Sequence, residues 1–305
     1  MLILQDGLKA NVAVLIKGGT YELAEPLAFG PEDSGTDQHS ITYAAAPGET
    51  VVVSGGRKIT GWKKAEGELW AADVPGVKEG KAYFHQLWVN GKRAVRARTP
   101  NADAEQPCWQ LKGASLAKDL KSHTYSFAPG QLKDWRNLQD VETVVFGNWE
   151  ITRKRFEKAD PATGVAQMLG PHAQPHDAIA AGGGRWFYLE NAAEFLDQPG
   201  EWYLDRASGV LTYWPRTGEE MATAQVVAPM LTRLIEVKGT PEIPVRNLHF
   251  KGIEFAYADW THPQGGYLGI QACHYSTGTG WDKAEGGRIA AAIRLDYAEG
   301  CSVTD

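Results

Sequence analysis

Cysteine is scarce in this sequence: Cys108, Cys273 and Cys301 are the three cysteines among 305 residues. So small and scattered a set excludes a disulfide framework and a cysteine-based zinc site. No apolar run approaches the roughly 18 residues that a membrane-spanning helix needs. Lys plus Arg total 31 against 37 Asp plus Glu, a net charge of −6 with no basic tract, which argues against a nucleic-acid-binding surface.

The N-terminus shows no signal peptide, because no basic start is followed by an apolar stretch and a small-residue cleavage site. The sequence enters a strand-like run, Val12–Ile16, almost at once, and it closes in another β-like segment, 301–305. Strands at both ends would leave open sheet edges, which folded proteins normally protect. We therefore expect a fragment of a longer protein; the alternative is a short last strand that simply ends the chain.

Glycine and aromatic residues are abundant instead, with 34 Gly, 11 Trp and 11 Tyr. With 43% apolar and 22% charged residues the composition is that of a globular protein, which excludes intrinsic disorder. Abundant glycine together with abundant aromatic residues predicts a turn-rich β protein. The tryptophan excess fits sugar binding and fits a packed core equally well.

Both ends of the chain carry short apolar runs separated by glycine corners. In the segment 247–255, Leu248 and Phe250 form one alternation, and Ile253 and Phe255 form a second after a Lys-Gly corner. Such a pattern is typical of a solenoid rung, in which each strand covers the apolar face of its neighbour. A β-sandwich would produce similar short strands, so the pattern alone leaves both architectures open.

The middle of the chain has longer polar loops, most of the tryptophans and signals for antiparallel strands. Asn90-Gly91 within the segment 87–95 predicts a tight hairpin, and the segment 202–214 predicts a second hairpin with a longer loop. The run Leu189–Leu196 predicts one short helix. We therefore predict three parts: first coils over 1–57, an inserted β-sandwich-like domain over 58–224, and resumed coils over 225–305.

Several short sequence segments, taken together, resemble those of a known family. They are Ile16–Leu23, Phe29–Asp37, Val53–Gly56, Gln86–Arg93, Arg96–Asn101 and Pro199–Asp205. Through them the chain resembles bacterial right-handed parallel β-helix proteins similar to glycoside hydrolase family 141. The resemblance implies an all-β fold: a right-handed parallel, pectin-lyase-like β-helix interrupted by an inserted antiparallel β-sandwich-like domain.

The resemblance also implies a function in carbohydrate metabolism. We expect a glycoside hydrolase-like protein that hydrolyses polysaccharide with a pair of carboxylates, one acting as acid and one as nucleophile or base. In the family these carboxylates lie on later coils, which would follow Asp305, so no catalytic residue is assigned here. The expected partner is a polysaccharide or oligosaccharide substrate. We expect no cofactor, metal, nucleic acid or membrane, and a monomer that is extracellular or periplasmic.

Two other functions remain open at the level of sequence. A non-catalytic β-helix that binds glycans or serves as an adhesin would have the same pattern of strands. A polysaccharide lyase on a similar β-helix would need a Lys or Arg base beside an acid-neutralising site or a bound calcium ion, and the sequence shows no such set.

The glycine-rich loop 258–287 is the most suggestive segment for substrate binding, because long loops in compact domains tend to be functional. Its aromatic faces would stack on sugar rings and its polar groups would bond hydroxyls. The groove candidates are Asp259, Trp260, His262, His274, Trp281 and Asp282. The alternative is a packing loop that covers the side of the solenoid. A metal site is not predicted, because the two histidines lie twelve residues apart without a third ligand.

Arginines cluster in the segment 93–98, where Arg93, Arg96 and Arg98 follow His85. Arg96 and Arg98 would share one face of a strand, which suggests an anion site for a uronate or a sulfate. The alternative is a charged hairpin face, or arginines that pack on neighbouring tryptophans.

Overall fold

The computed structural model of the chain is all-β. It describes residues 8–116, 123–147, 150–170, 184–260, 266–270, 274–275 and 289–305. Across these ranges the helical content consists of three single turns of 3-10 helix, Pro31–Asp33, Leu138–Asp140 and Ala193–Phe195. The all-β prediction is therefore confirmed.

The described residues form 31 strands, which are numbered in chain order. The first eight are β1 Val12–Ile16, β2 Gly19–Glu22, β3 Leu27–Phe29, β4 Ile41–Ala45, β5 Val51–Ser54, β6 Gly56–Ile59, β7 Lys63–Lys64 and β8 Trp70–Asp73. The next fourteen are β9 Trp88–Val89, β10 Lys92–Arg93, β11 Val95–Arg96, β12 Arg98–Thr99, β13 Trp109–Gln110, β14 Gly113–Leu116, β15 His123–Ser126, β16 Glu142–Phe146, β17 Ile151–Asp160, β18 Val165–Met168, β19 Trp186–Glu190, β20 Glu201–Leu204, β21 Val210–Tyr213 and β22 Val226–Pro229. The last nine are β23 Ile235–Lys238, β24 Val245–Arg246, β25 Leu248–Lys251, β26 Ile253–Ala256, β27 Tyr267–Ile270, β28 His274–Tyr275, β29 Ile293–Asp296, β30 Ala298–Glu299 and β31 Ser302–Thr304.

The chain divides into two compact units. The first unit comprises Met1–Lys58, Val226–Trp260 and Ala290–Asp305, and the second comprises Ile59–Gln225 and Thr261–Ile289. The first unit is thus assembled from three separate stretches of sequence.

Parallel sheets build the first unit. One sheet has the order β1-β4-β25-β31, a second β2-β5-β26 and a third β29-β23-β3, and all their pairings are parallel. Ile41 of β4 pairs with Val12 on one side and with Leu248 on the other. Strands from the start of the chain therefore pair directly with strands that follow residue 234.

Inward-facing residues of these strands stack in apolar columns. The ring centroid of Phe29 lies 5.3 Å from that of Tyr43 and 5.2 Å from that of Phe250. The ring centroids of Tyr43 and Phe250 are 5.9 Å apart. Val237 and Leu248 are fully buried in the same cluster. Because residues paired in register lie on the same face, repeating an apolar residue at equivalent positions extends one continuous core.

Sharp corners separate the strands of neighbouring sheets. Asn247, between β24 and β25, has a φ of 48°, and Gly252, between β25 and β26, has a φ of 65°. Glycine and asparagine are the residues that adopt this left-handed region at least cost, so the Lys-Gly corner in the sequence marks a true bend between strands.

The second unit contains two larger sheets, one antiparallel and one mixed. The antiparallel sheet follows the order β12-β19-β16-β17-β18-β15-β14, with β13 beside β19, β27 beside β17 and β28 beside β27. The other follows β11-β20-β21-β8-β7, in which the β11–β20 pair is parallel. This arrangement fits the predicted β-sandwich-like module.

The core of the second unit lies on one face of the longer sheet. Phe187 and Leu189 of β19 and Val145 of β16 are fully buried there, and Phe127 and Trp135 pack against the same cluster. Residues that alternate with them point to the opposite face, because successive side chains of a strand do so.

Both predicted hairpins are present. Trp88–Val89 pairs with Lys92–Arg93 across Asn90-Gly91, whose φ angles of 50° and 74° are those of a primed turn. Strand β20 pairs with β21 across the longer loop. The predicted helix over Leu189–Leu196 is wrong: β19 runs through Glu190, and one 3-10 turn follows at Ala193–Phe195. Cross-strand pairing of β19 with three strands outweighs local helix propensity.

Candidate functional site

The predicted groove residues are described in part. Asp259 is buried, and its amide donates to the carbonyl of Leu231 at 2.8 Å. Trp260 is half-buried beside it in sequence. His274 belongs to β28, whose backbone pairs with β27, but its side chain lies outside the description. His262, Trp281 and Asp282 fall outside the described residues altogether. The structure thus places Asp259 and Trp260 together and leaves the rest of the groove a prediction.

The arginine cluster separates into three different environments. The Arg93 guanidinium lies 5.5 Å from the ring centroid of Trp88, which fits the packing alternative. Arg96 is buried, whereas the half-buried Arg98 guanidinium stacks 3.7 Å from the ring centroid of Tyr188. The three side chains therefore do not form one anion site.

Arg96, on β11 of the shorter sheet, joins a buried ionic cluster formed with residues of the longer sheet of the second unit. Its Nη1 donates to Oε1 of Glu142 at 2.9 Å and to Oε1 of Glu190 at 3.1 Å. Arg153 closes the cluster, because its Nη1 contacts Oε1 of Glu190 at 2.5 Å and lies 3.7 Å from Oε2 of Glu142. Two cations thus meet two carboxylates, and the four charges balance.

Strand register creates this cluster. Glu142 is the first residue of β16 and pairs directly with Glu190, the last residue of β19. Directly opposed residues of an antiparallel pair lie about 5 Å apart on the same face, so the two carboxylates would repel each other if no cation lay beside them. Arg96 and Arg153 supply that compensation from two other strands.

Electrostatics fix the protonation states of the cations. Burial lowers the pKa of Arg96, but the charges of Glu142, Tyr83 and Glu190 outweigh burial and raise that pKa well above its ordinary value. Burial likewise lowers the pKa of Arg153, and Glu190 leads the groups that raise it overall. Each of the two carboxylates is buried and bound by an arginine, so neither is placed to reach a substrate.

Glu201 is a buried carboxyl of a different kind. Its side chain is fully buried, and its two oxygens accept hydrogen bonds from the amides of Arg98 at 3.3 Å and Asp197 at 3.2 Å. Burial raises the pKa of Glu201 to about 7, because desolvation outweighs the two backbone donors. The carboxyl can thus carry a proton near neutral pH, but its complete burial keeps it from a polysaccharide.

Sequence reasoning missed Glu142, Glu190, Arg153 and Glu201. A signal for Glu190 was present: in β19, Trp186, Tyr188 and Glu190 alternate with Phe187 and Leu189, which is the period of a half-buried strand. Its pairing with Glu142, 48 positions earlier, has no local signal, because register is a tertiary property.

Two features are missing from the described part of the chain. Its residues contain no apolar helix of membrane-spanning length. They also contain no group of three or more His, Cys, Asp or Glu side chains arranged to hold a metal ion.

The fold and this geometry can now be compared with known proteins. Residues 67–216 match the family model of the GH141 insertion domain. A solved structure titled "Glycoside hydrolase" aligns with 96% of this chain at 30% sequence identity and a TM-score of 0.81. The chain is GH141-like. It spans about half the length of that glycoside hydrolase, since the alignment covers 54% of it.

Other comparisons add little to the GH141 likeness. A second solved structure, "The complex structure of XylC with xylose", aligns with 82% of this chain and 31% of its own at 16% identity, and its TM-score of 0.33 is too low to support an argument. No curated protein matches the chain. The ionic cluster, Glu201 and the face that carries Trp186 all lie within the segment that matches the GH141 insertion domain.

Proposed function

We propose that the chain is a glycoside hydrolase-like, carbohydrate-active protein. The observation that carries the proposal is the alignment of 96% of the chain with a glycoside hydrolase at 30% identity. The match to the GH141 insertion domain over residues 67–216 supports it independently. The expected partner is a polysaccharide or oligosaccharide. We expect the protein to be a monomer and to act in the periplasm or the extracellular space.

We further propose the architecture that such a protein would have. The three parallel sheets of the first unit would be the faces of a right-handed β-helix, each coil contributing one strand to each sheet, and the second unit would be its β-sandwich-like insertion. The proposed boundaries are those of the sequence: coils over 1–57 and 225–305, and the insertion over 58–224. Support comes from β4 and β25, which pair in parallel although the segment Ile59–Gln225 of the second unit separates them in sequence.

The proposed reaction is hydrolysis of glycosidic bonds by two carboxyl groups. Among the described carboxylates, Glu142 and Glu190 are neutralised by arginines and Glu201 is enclosed, so none of the three is assigned as acid or nucleophile. Asp259 and Trp260 remain candidates for the wall of a substrate groove, together with His262, His274, Trp281 and Asp282.

A second candidate function is glycan binding without catalysis. The specific observation in its favour is the pairing of Glu142 and Glu190 with Arg96 and Arg153, because carboxylates that are buried and ion-paired stabilise the fold and are not open to a substrate. On this alternative the protein would bind the same class of glycan and leave it intact.

One experiment distinguishes these functions. The full chain is incubated with plant and microbial polysaccharides, and new reducing ends, unsaturated products and retention of the protein by each polysaccharide are measured. New reducing ends without unsaturated products support hydrolysis, and Asp259→Asn and Trp260→Ala should then lower the rate. Retention without new ends supports the non-catalytic function. Unsaturated products indicate a lyase, and absence of both binding and cleavage contradicts a carbohydrate-active protein.

A further inference from the structure

The longer sheet of the second unit has a face opposite its core that is open at one end. We name it the Trp186 face, and it carries Trp186, Tyr188, Phe146, Gln110, Arg98 and Arg153. Register places these residues together: Gln110 pairs with Trp186, and Val144, two residues before Phe146, pairs with both Tyr188 and Arg153. Directly opposed residues in antiparallel strands lie on the same face.

Exposure increases along the Trp186 face. At one end Glu142 and Glu190 are buried in the ionic cluster, and in the middle Tyr188 and Phe146 are half-buried. At the other end Trp186 is 51% exposed and Gln110 is exposed. Exposed tryptophans next to other aromatic side chains are uncommon on a surface that contacts water alone and mark binding surfaces.

The aromatic rings of this face are held in place. The ring centroids of Phe146 and Tyr188 lie 6.1 Å apart, and the Tyr188 hydroxyl accepts a hydrogen bond from Nη2 of Arg153 at 3.3 Å. The guanidinium carbon of Arg98 lies over the Tyr188 ring, 3.7 Å from the ring centroid. A ligand that reaches Phe146 or Tyr188 would therefore meet rings already held by protein contacts, which lowers the entropy cost of binding.

Arg98 gives the face an excess positive charge. Arg96 and Arg153 are balanced by Glu142 and Glu190, but over the described ranges no carboxylate lies within ion-pair distance of the Arg98 guanidinium. Arg98 donates instead from Nε to the carbonyl of Pro100 at 2.9 Å and from Nη2 to that of Pro107. Among the described residues, Nη1 of Arg98 has no protein acceptor, so it can donate a hydrogen bond to an anion.

We propose that the Trp186 face binds an oligosaccharide that contains a uronate residue. The sugar ring would stack on Trp186, Gln110 would bond hydroxyl groups, and the carboxylate would meet Arg98. A guanidinium is the side chain best suited to a carboxylate, since its planar donors match the two oxygens. The inference rests on the proposed carbohydrate function but not on catalysis, and it assigns a binding role to the segment similar to the GH141 insertion domain.

The test measures binding of de-esterified and fully methyl-esterified galacturonan oligosaccharides to the full chain by calorimetry, with alginate oligosaccharides as a second acidic probe. The ester keeps the sugar ring and removes the charge. We expect at least one acid to bind, with the galacturonan ester roughly tenfold or more weaker than its acid, and binding should weaken as salt rises. Equal binding of acid and ester, or no binding of any probe, would overturn the proposal.

Variants locate the site. Trp186→Ala and Arg98→Gln should each weaken binding roughly tenfold, while Trp186→Phe keeps a ring and loses less. The matched controls are Tyr21→Ala, which removes an exposed aromatic side chain of the first unit, and Arg57→Gln, which removes an exposed positive charge there. Both controls should bind as the parent does. Because Trp186 is exposed, its variant remains informative even where Arg98→Gln disturbs folding.

Failure of this proposal differs from failure of the proposed function. Hydrolysis with unchanged binding in Trp186→Ala would retain the carbohydrate function and overturn the Trp186 face as a binding site. Binding that depends on Trp186 and Arg98, without any cleavage, would support the face and favour the non-catalytic alternative.

Discussion

The two units bury their polar groups very differently. In the first unit the buried polar side chains among described residues are Ser54 and Asp259, whereas the second unit buries Arg96, Glu142, Lys154, Glu190 and Glu201 as well as several neutral groups. In the first unit strands pair in register, and apolar residues such as Tyr43 and Phe250 meet their equivalents on the next strand and form columns. In the second unit one sheet face forms the core, and ion pairs fill the covered end of the other face.

Because of this difference, the two units should tolerate substitutions differently. An apolar column tolerates exchange among residues of similar volume, since packing alone stabilises it. A buried ionic cluster tolerates no loss of a single partner, because the remaining charge is left without compensation in a region of low dielectric constant. The second unit should therefore be the more sensitive to single substitutions at its polar positions.

Replacing Arg96 tests that sensitivity most severely. Arg96→Met should destabilise the second unit by about 3–5 kcal/mol, because the buried Glu142 and Glu190 would lose a cation that donates a hydrogen bond to each of them. Denaturant unfolding monitored by tryptophan fluorescence measures the loss. Arg57→Gln, an exposed arginine, is the control and should change stability by less than about 0.5 kcal/mol. A loss for Arg96→Met as small as for the control would contradict a structural role of the cluster.

Shortening an apolar column gives the corresponding test in the first unit. Leu248→Ala should cost about 2–4 kcal/mol, because the fully buried side chain leaves a cavity among its neighbours. Lys251→Ala on the same strand is the matched control, since Lys251 is exposed. Unfolding curves of the two variants are compared with the parent. Equal losses would mean that β25 does not bury its alternate residues.

Stability should also depend on pH through Glu201. Its pKa rises from 4.5 to about 7 on folding, so the folded state binds a proton that the unfolded state releases between these values. Stability is therefore greatest at low pH and falls as pH rises to about 7, by about 1–3 kcal/mol in total. Glu201→Gln should abolish this part of the pH dependence when unfolding is followed from pH 4.5 to 8. Identical pH profiles of parent and variant would show that Glu201 is ionised throughout.

A turn residue should give the smallest effect. Gly91→Ala should destabilise the hairpin by about 1 kcal/mol, because the φ of 74° is unfavourable for a residue with a Cβ atom. Gly113→Ala is the control within the same unit, since Gly113 has no positive φ and an added Cβ would meet Ser126 at an ordinary 3.6 Å. The shift in the midpoint temperature of thermal unfolding, relative to the parent protein, is measured for both variants. A larger loss at Gly113 would reverse the expected order.

Local features of the fold were predictable because their causes are local. Asn90-Gly91 specifies its turn through the φ angles that both residues allow, and the alternation of Leu248 and Phe250 specifies a half-buried strand. The Leu189–Leu196 helix was predicted wrongly because the composition of that run suits a helix. The alternation of Trp186, Tyr188 and Glu190 just before it belongs to a strand whose partners lie far away in sequence.

The candidate site was predictable to a smaller extent. Asp259 and Trp260 lie together because they are neighbours in sequence, and Arg96 and Arg98 were recognised as a charged cluster. Arg96 lies in a buried ionic cluster because Glu142 and Glu190 are beside it, whereas Arg98 stacks on the ring of Tyr188. No spacing in the sequence connects these residues.

The all-β class, the corners, the two hairpins and the resemblance to the GH141 group can be inferred from sequence, since they depend on the conformational preferences of a few adjacent residues and on characteristic sequence segments. The strand register cannot, because it depends on how distant segments pack. Register sets Glu142 against Glu190, brings Arg96 and Arg153 to them and leaves Trp186 beside Gln110 at the open end of the sheet. Side chains alternate between faces with a period of two, so a slip of one residue would exchange the core face and the Trp186 face, and only the packed sheet fixes which face is which.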